Sequence, residues 1–207
     1  MHRRTALSVS AALLVAAPLL SACSGQARPG TAAVVGGERI TTSALQAQVG
    51  DVRTAQNRTG QSAQLIQASP GLERVKLNKM IQTAVLERAA KDAGVVVSPR
   101  EVEEFRKAQL EKAGGPDKLE AAALEQAHLA PGQLEADARF KLLRDKLFEH
   151  YGSQDKALEK LAAAAKALHI QVNPRYGAWD AQQIVLGDQQ TPWITQRTRS
   201  EQAPAGA

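Results

Sequence analysis

The sequence predicts a mainly helical protein with one compact domain of about six helices and a small β element near its start. The length of 207 residues suits a single domain with its own core. Apolar residues make up 43% of the chain but aromatic residues only 3%, so most apolar side chains are Ala, Leu and Val. This composition favours helices over a β-sandwich or β-barrel. Apolar residues also recur at helical spacing between Gly and Pro breaks.

The first 23 residues predict an export leader that ends at a lipid attachment site. Arg3 and Arg4 precede an apolar run over residues 6–20, which is the order of a secretory signal and is too short to span a membrane. The next residues, Leu20-Ser21-Ala22-Cys23, resemble the bacterial lipobox, in which the cysteine thiol receives a diacylglyceryl group. An ordinary secretory signal beside an unmodified cysteine is the alternative. Both the general secretory route and twin-arginine export remain open.

This interpretation divides the N-terminal part into a signal peptide over residues 1–22 and a flexible tether over residues 23–31. Two acyl chains on Cys23 give stable attachment, so the expected location is the extracytoplasmic face of a cell membrane. Loss of the leader removes Arg3 and Arg4 and lowers the formal charge from +5 to +3. That charge is too mild to indicate a nucleic-acid partner. As the only cysteine, Cys23 also excludes an internal disulfide.

The mature chain begins with a predicted β element over residues 31–40, where apolar residues flank a turn at Gly36 and Gly37. A helix is expected from about Thr42. The polar and glycine-containing residues 56–64 should end its regular pattern. Three apolar residues at helical spacing define its inward face: Leu45, Val49 and Val52.

Ser69 and Pro70 predict the start of a central helix, with Ser69 as the N-cap and Pro70 in the first turn. Gly94 predicts its end. The next helix opens at Ser98, which is expected to form a capping box with Glu101, and it is broken by glycine and proline at residues 114–116.

Three further helices are predicted over residues 117–128, 133–151 and about 153–168. The second carries apolar residues over more than half its circumference, which indicates burial or an apolar groove. An extended segment follows over residues 170–176, because Pro174 disfavours a helical residue before it. The polar composition of residues 187–207 predicts a disordered tail, so the domain is expected to span residues 32–186.

This order of elements resembles the N-terminal chaperone domain of the SurA and PrsA class of extracytoplasmic foldases, which is a peptide-binding fold similar to trigger factor. Four segments carry the resemblance, which covers about residues 32–180: residues 33–41, 94–102, 131–134 and 170–180. It implies that residues 33–35 pair with residues 170–172 in a two-stranded β element that joins the N- and C-terminal segments. It also implies that the family's parvulin domain is missing, since one helix fills the space before the closing strand.

The function implied is a chaperone that binds unfolded or newly exported polypeptides through an apolar groove, without prolyl isomerase activity. Charged residues around such a groove would keep it soluble. An envelope scaffold lipoprotein with one dedicated partner and a degenerate prolyl isomerase are the alternatives, and the oligomeric state is not predicted. The expected groove residues are Met80, Phe105, Leu110, Phe140 and Phe148. For any one of them, an ordinary core position is the favoured alternative.

No constellation of residues predicts an enzyme, a metal site or a cofactor. Ser153 and Lys156 match the Ser-x-x-Lys motif of penicillin-binding proteins, but its companion motifs are missing and Ser153 suits a helix N-cap. His128, His150 and His169 are scattered, without the spacing of metal ligands. We therefore expect no catalytic residue in this chain.

Overall fold

The computed structural model describes residues 29–188. The predicted signal peptide, Cys23 and nearly all of the predicted tail lie outside these residues. The described part contains seven α-helices and five short β-strands. The helices are α1 (Thr42–Asn57), α2 (Ser62–Gln67), α3 (Leu72–Ala93), α4 (Pro99–Ala113), α5 (Pro116–Ala127), α6 (Leu134–Tyr151) and α7 (Gln154–Ala167). The strands are β1 (Thr31–Val35), β2 (Glu38–Thr41), β3 (Gln171–Val172), β4 (Ala178–Asp180) and β5 (Val185–Gly187).

The predicted mainly helical fold is confirmed. None of the helices within residues 29–188 combines the length and the hydropathy that a membrane span requires. The central helix is α3, which packs against α1, α6, α7 and β1. Its inward residues Leu77, Ile81 and Val85 lie four positions apart and are fully buried. A smaller apolar cluster lies between α1, α2 and α5, around Val52 and Leu65.

A three-stranded antiparallel sheet in the order β2-β1-β3 joins the two ends of the described chain. Ala33 pairs with Val172 and Val34 with Gln171, so the predicted pairing of the first and closing strands is confirmed. The sheet has one strand more than predicted, because the chain turns back after Gly37 and forms β2. Both glycines of this turn have positive φ angles, 59° at Gly36 and 86° at Gly37, as a tight hairpin requires.

The end of α3 and the start of α4 lie where the capping residues in the sequence predict them. Gly94 adopts the left-handed conformation and caps α3. The Ser98 side chain accepts a hydrogen bond from the Glu101 backbone N–H, and the Glu101 carboxylate accepts one from Ser98 N–H, which completes the predicted capping box. Hydrogen bonds from Lys146 and Ser98 lower the pKa of Glu101 to about 2. The charged Glu101 carboxylate therefore takes part both in the helix cap and in a contact with α6.

The predicted start of α3 at Ser69 is wrong. The helix begins at Leu72 after Gly71, and Ser69 is only 1% exposed. Its hydroxyl donates to the Leu65 carbonyl at 2.9 Å and accepts hydrogen bonds from Arg53 Nη1 at 2.8 Å and Gln56 Nε2 at 3.2 Å. Ser69 instead accepts hydrogen bonds from the Arg53 and Gln56 side chains of α1, because polar groups removed from water need partners. This demand outweighs its local preference for an N-cap.

Two segments hold more regular structure than the sequence predicts. The short helix α2 forms in and after the stretch predicted to be irregular, with Leu65 as its buried residue. Strands β4 and β5 form a hairpin in which Trp179 pairs with Leu186. This hairpin ends at Gly187, one residue inside the segment predicted to be a tail.

Candidate functional site

One cavity of about 360 Å³ lies where the β1-β2 hairpin meets α3 and the start of α6, and we call it the hairpin cavity. The α3 residues that line it include Lys76, Lys79 and Met80, which lie on one side of that helix. A 3-10 turn over Pro131–Gln133 precedes α6 and brings Gln133 to the cavity. The apolar part of the lining consists of Val35, Ile40, Met80, Ala84, Leu129 and Ala136.

A second cavity of about 980 Å³ lies between α4 and the start of α6, and we call it the α4 cavity. Its apolar lining comes mainly from Pro99, Val102 and Leu110, which lie on one side of α4. Three basic and two acidic side chains surround these residues. The cavity therefore combines an apolar floor with a charged rim.

The hairpin cavity and the α4 cavity meet at Ala136, which lines both of them. The consecutive residues Gly132 and Gln133 line the α4 cavity and the hairpin cavity respectively. The first turn of α6 is therefore the divide between the two spaces. Ala136 is exposed and has the smallest side chain after glycine, so little side-chain volume stands between the two cavities at this residue.

The hairpin cavity contains a buried ammonium group. Lys76 is 5% exposed, and its Nζ donates a hydrogen bond of 2.6 Å to Gln133 Oε1. Gln133 is also buried and is held in place, since its Nε2 donates to the Gln48 carbonyl at 2.9 Å. Burial lowers the pKa of Lys76 from 10.5 to about 8, although the nearby Asp137 works to raise it.

A carboxylate beside this ammonium group is already paired. Asp137 is buried and contacts Lys79 Nζ at 3.0 Å and Lys141 Nζ at 2.8 Å. Burial works to raise the pKa of Asp137, but the hydrogen bonds from Lys141 and Lys79 outweigh burial and hold this pKa below its usual value. The pKa of Lys79 is lowered by burial. Its Nζ also lies 3.2 Å from the centre of the Phe140 ring, so this side chain is fixed on two sides.

The structure places two of the five predicted groove residues at the cavities. Met80 lines the hairpin cavity and Leu110 lines the α4 cavity. The three phenylalanines, Phe105, Phe140 and Phe148, line neither cavity and pack half-buried against the main core. Met80 and Leu110 therefore belong to the candidate site that the two cavities form.

The cavity-lining residues that were not predicted from the sequence include Lys76, Gln133 and Ala136. A signal for Lys76 was present, because it follows Leu72 by four residues and precedes Met80 by four. That spacing places a lysine within the apolar side of α3. Nothing in the local sequence distinguishes Ala136 from the other alanines of the chain.

A third cavity of about 570 Å³ lies beside the start of α3 and the segment before β4. Its cations have partners within the chain. Arg53 donates to the Ser69 carbonyl, Arg74 pairs with Asp188, and Arg175 lies 4.8 Å from the centre of the Tyr176 ring. These contacts indicate a structural role for the basic residues here.

The residues weighed for catalysis are used structurally or lie apart. The Ser153 hydroxyl accepts a hydrogen bond from the Lys156 N–H, so Ser153 is the N-cap of α7 as predicted. Within residues 29–188, no three side chains of the His, Cys, Asp and Glu types are grouped as a metal site would require.

The chain matches the family model described as "SurA-like N-terminal domain" over residues 3–148. This range includes every residue that lines the hairpin cavity and the α4 cavity. No curated protein and no solved structure matches.

Proposed function

The chain belongs to the family of SurA-like N-terminal domains, and from this premise we propose that it is a lipid-anchored extracytoplasmic chaperone for unfolded or newly exported polypeptides. The fold is of a chaperone type. The observation that carries the proposal is the pair of cavities that meet at Ala136. Both lie within the part of the chain that matches the family, and their volumes are in the range of ligand-binding clefts, about 300–1,000 Å³.

The lining of the two cavities suits a client of variable sequence. Apolar floors around Met80 and Leu110 would bury apolar side chains of an unfolded segment. Charged groups at the rims, such as Arg106 and Glu135, would remain in water and contact polar residues of the same client segment. Methionine adapts to different shapes because its side chain is unbranched and flexible.

The binding site can be tested by filling the divide between the cavities with Ala136→Trp. The purified domain should suppress the aggregation of a chemically denatured client protein, measured by light scattering after dilution. Ala136→Trp should weaken this suppression several-fold, because the indole ring occupies the space that joins the two cavities. The matched control is Ala121→Trp, at an alanine on α5 that is also exposed and lines neither cavity.

Two results would count against the proposal. If the unmodified domain fails to slow aggregation at several-fold molar excess, the chain is not a general chaperone. If Ala136→Trp and Ala121→Trp retain equal activity, the clients bind elsewhere. Circular dichroism spectra of both variants would show that the helices are retained.

Membrane attachment through Cys23 is the second part of the proposal, and the lipobox-like sequence supports it. Residues 24–30 would span at most about 25 Å when fully extended, so the domain would work close to the membrane surface. Cys23→Ala should abolish labelling by a radioactive or clickable fatty acid in the bacterial host. Ser24→Ala, which keeps the four lipobox residues, should retain the label. Continued labelling of Cys23→Ala would disprove lipidation at this residue.

We propose further that the protein has no prolyl isomerase activity. Within the described residues, α7 is the only helix between the end of α6 and strand β3. That leaves no space there for a parvulin domain. A protease-coupled assay on a proline peptide should show the uncatalysed cis-trans rate, and an acceleration proportional to protein concentration would contradict this part.

A further inference from the structure

We propose that the hairpin cavity binds a carboxylate group of the client polypeptide through the Lys76 ammonium group. The carboxylate can be the C-terminal group of the client or an acidic side chain, and the experiment below separates these two sources. The inference rests on the proposed function, because it names the chemistry that one of the two cavities recognises.

The Lys76 ammonium group is incompletely hydrogen-bonded within the described chain. A lysine ammonium group carries three donors. Within residues 29–188, the amide oxygen of Gln133 is the only acceptor in hydrogen-bond contact with it. Water or a ligand in the cavity must therefore satisfy the other donors, because Lys76 lines this space and is 95% removed from solvent.

Lys76 also has no counter-charge in direct contact with it among the described residues. A buried cation is costly unless a counter-charge accompanies it. The carboxylates of Asp137 and Asp51 act on Lys76 only from a distance, without a hydrogen bond to it. Asp137 is already shared by Lys79 and Lys141. A ligand carboxylate would supply the counter-charge that the described chain does not place in contact with Lys76.

The Lys76 ammonium group is also held in position in the absence of a ligand. Gln133 fixes the Lys76 ammonium, and backbone contacts fix Gln133 in turn. The adjacent lining residues Ile40, Met80 and Leu129 are apolar, so part of the cavity wall offers no hydrogen bond that competes with the ammonium group. A charge-assisted hydrogen bond is stronger in such surroundings than at an exposed lysine.

The experiment compares three fluorescent peptides that share one apolar sequence. The first ends in a free carboxyl group, the second ends in an amide, and the third ends in an amide but carries Glu in place of an internal Gln. Binding is measured by fluorescence anisotropy. We expect at least one carboxylate peptide to bind about tenfold more tightly than the neutral amide. Which of the two gains affinity identifies the source of the carboxylate.

Lys76→Met should remove this difference between the carboxylate peptides and the neutral amide. The matched control is Lys91→Met, which removes an exposed lysine of α3 that lines neither the hairpin cavity nor the α4 cavity. It should preserve the preference for the carboxylate.

A second readout avoids mutation. Nuclear magnetic resonance of the lysine side chains should show the Lys76 pKa rising when the preferred carboxylate peptide binds, and unchanged with the neutral amide. The charged groups that act on Lys76 are Asp137 on α6, Lys79 on α3 and Asp51 on α1, and they are the same in both measurements. An unchanged pKa with every peptide would overturn the proposal even if Lys76→Met fails to fold.

The peptide-binding results distinguish failure of carboxylate recognition from failure of the proposed chaperone function. Failure of all three peptides to bind would contradict the proposed chaperone function itself. Equal binding of all three would leave that function intact and disprove carboxylate recognition. A preference that survives Lys76→Met would also disprove it.

Discussion

Replacing Lys76 by Met should change how the stability of the domain depends on pH. The buried ammonium has a pKa of about 8 in the folded protein, against 10.5 for the free side chain. Between these pH values the unfolded chain binds more protons at this residue than the folded chain. The free energy of unfolding must therefore rise as the pH rises through this interval.

The magnitude follows from the size of the shift. Each pH unit between the two pKa values changes the free energy of unfolding by at most about 1.4 kcal/mol. From about pH 8 to about pH 10, Lys76 should therefore add about 2 kcal/mol of stability. Methionine has a similar length and no charge, so the variant lacks this contribution. Its stability relative to the unmodified protein should be greatest near neutral pH and should shrink by about 2 kcal/mol by about pH 10.

The assay is urea denaturation followed by circular dichroism at several pH values, with the unmodified protein, Lys76→Met and Lys107→Met measured in parallel. Titrating groups that do not interact with Lys76 are common to all three proteins and cancel in the differences. Lys107→Met, which removes an exposed lysine, should follow the unmodified protein at each pH. If the difference between Lys76→Met and the unmodified protein is the same at every pH, Lys76 is not a buried charged group and the reasoning fails.

Three further predictions concern stability and can be measured in the same way. Ser98→Ala should lower the free energy of unfolding by about 1 kcal/mol because α4 loses its capping box, whereas Ser98→Asp should restore most of it; equal stability of the Ala variant would contradict the role of the cap. Gly177→Ala should destabilise the domain by about 1–3 kcal/mol, because φ is 124° there and a Cβ would lie 2.2 Å from the Gly187 carbonyl oxygen. The same change at Gly60, where a Cβ meets nothing within 4 Å, is its control, and equal effects would refute the steric argument. Ser69→Ala should cost about 1–3 kcal/mol by removing an acceptor for Arg53 and Gln56, and a change near zero would show that water replaces it.

The sequence predicts well those elements whose ends are defined by local chemistry. Gly94 ends α3 because a residue without a side chain adopts the left-handed cap most easily. Ser98 and Glu101 begin α4 through hydrogen bonds within one turn. Ser153 begins α7 in the same manner. In each case the partners are at most four residues apart, so the pattern is visible in the sequence.

The elements that the sequence does not predict depend on distant partners. Helix α2 has six residues, too few to show a helical period, and its position is fixed by burial of Leu65 against Val52 and Leu72. Ser69 carries a typical N-cap signal, but its hydroxyl is taken by α1. Strands β4 and β5 have three residues each, and Leu186 N–H also donates to the side chain of Asn78 on α3.

The candidate site was predictable only in part, for a related reason. Amphipathic spacing identifies Met80 and Leu110 as apolar residues of their helices, yet it cannot tell a cavity wall from a packed core. Whether an apolar side chain meets empty space depends on the neighbouring element. For this reason the phenylalanines, the largest apolar candidates, could not be separated from Met80 and Leu110 by size. Gln133 enters the site through hydrogen bonds to Lys76 and Gln48, far away in sequence.

The pairing of β1 with β3 sets an order for folding. Strand β1 is made first, but its partner Gln171–Val172 is synthesised more than a hundred residues later. Closing such a long loop is slow, and until then one edge of β1 has no strand beside it. The helices can form while the chain is still growing, whereas the sheet must wait for almost the whole described segment. A nascent or truncated chain that stops before residue 170 would therefore expose this strand edge and would itself be prone to aggregation.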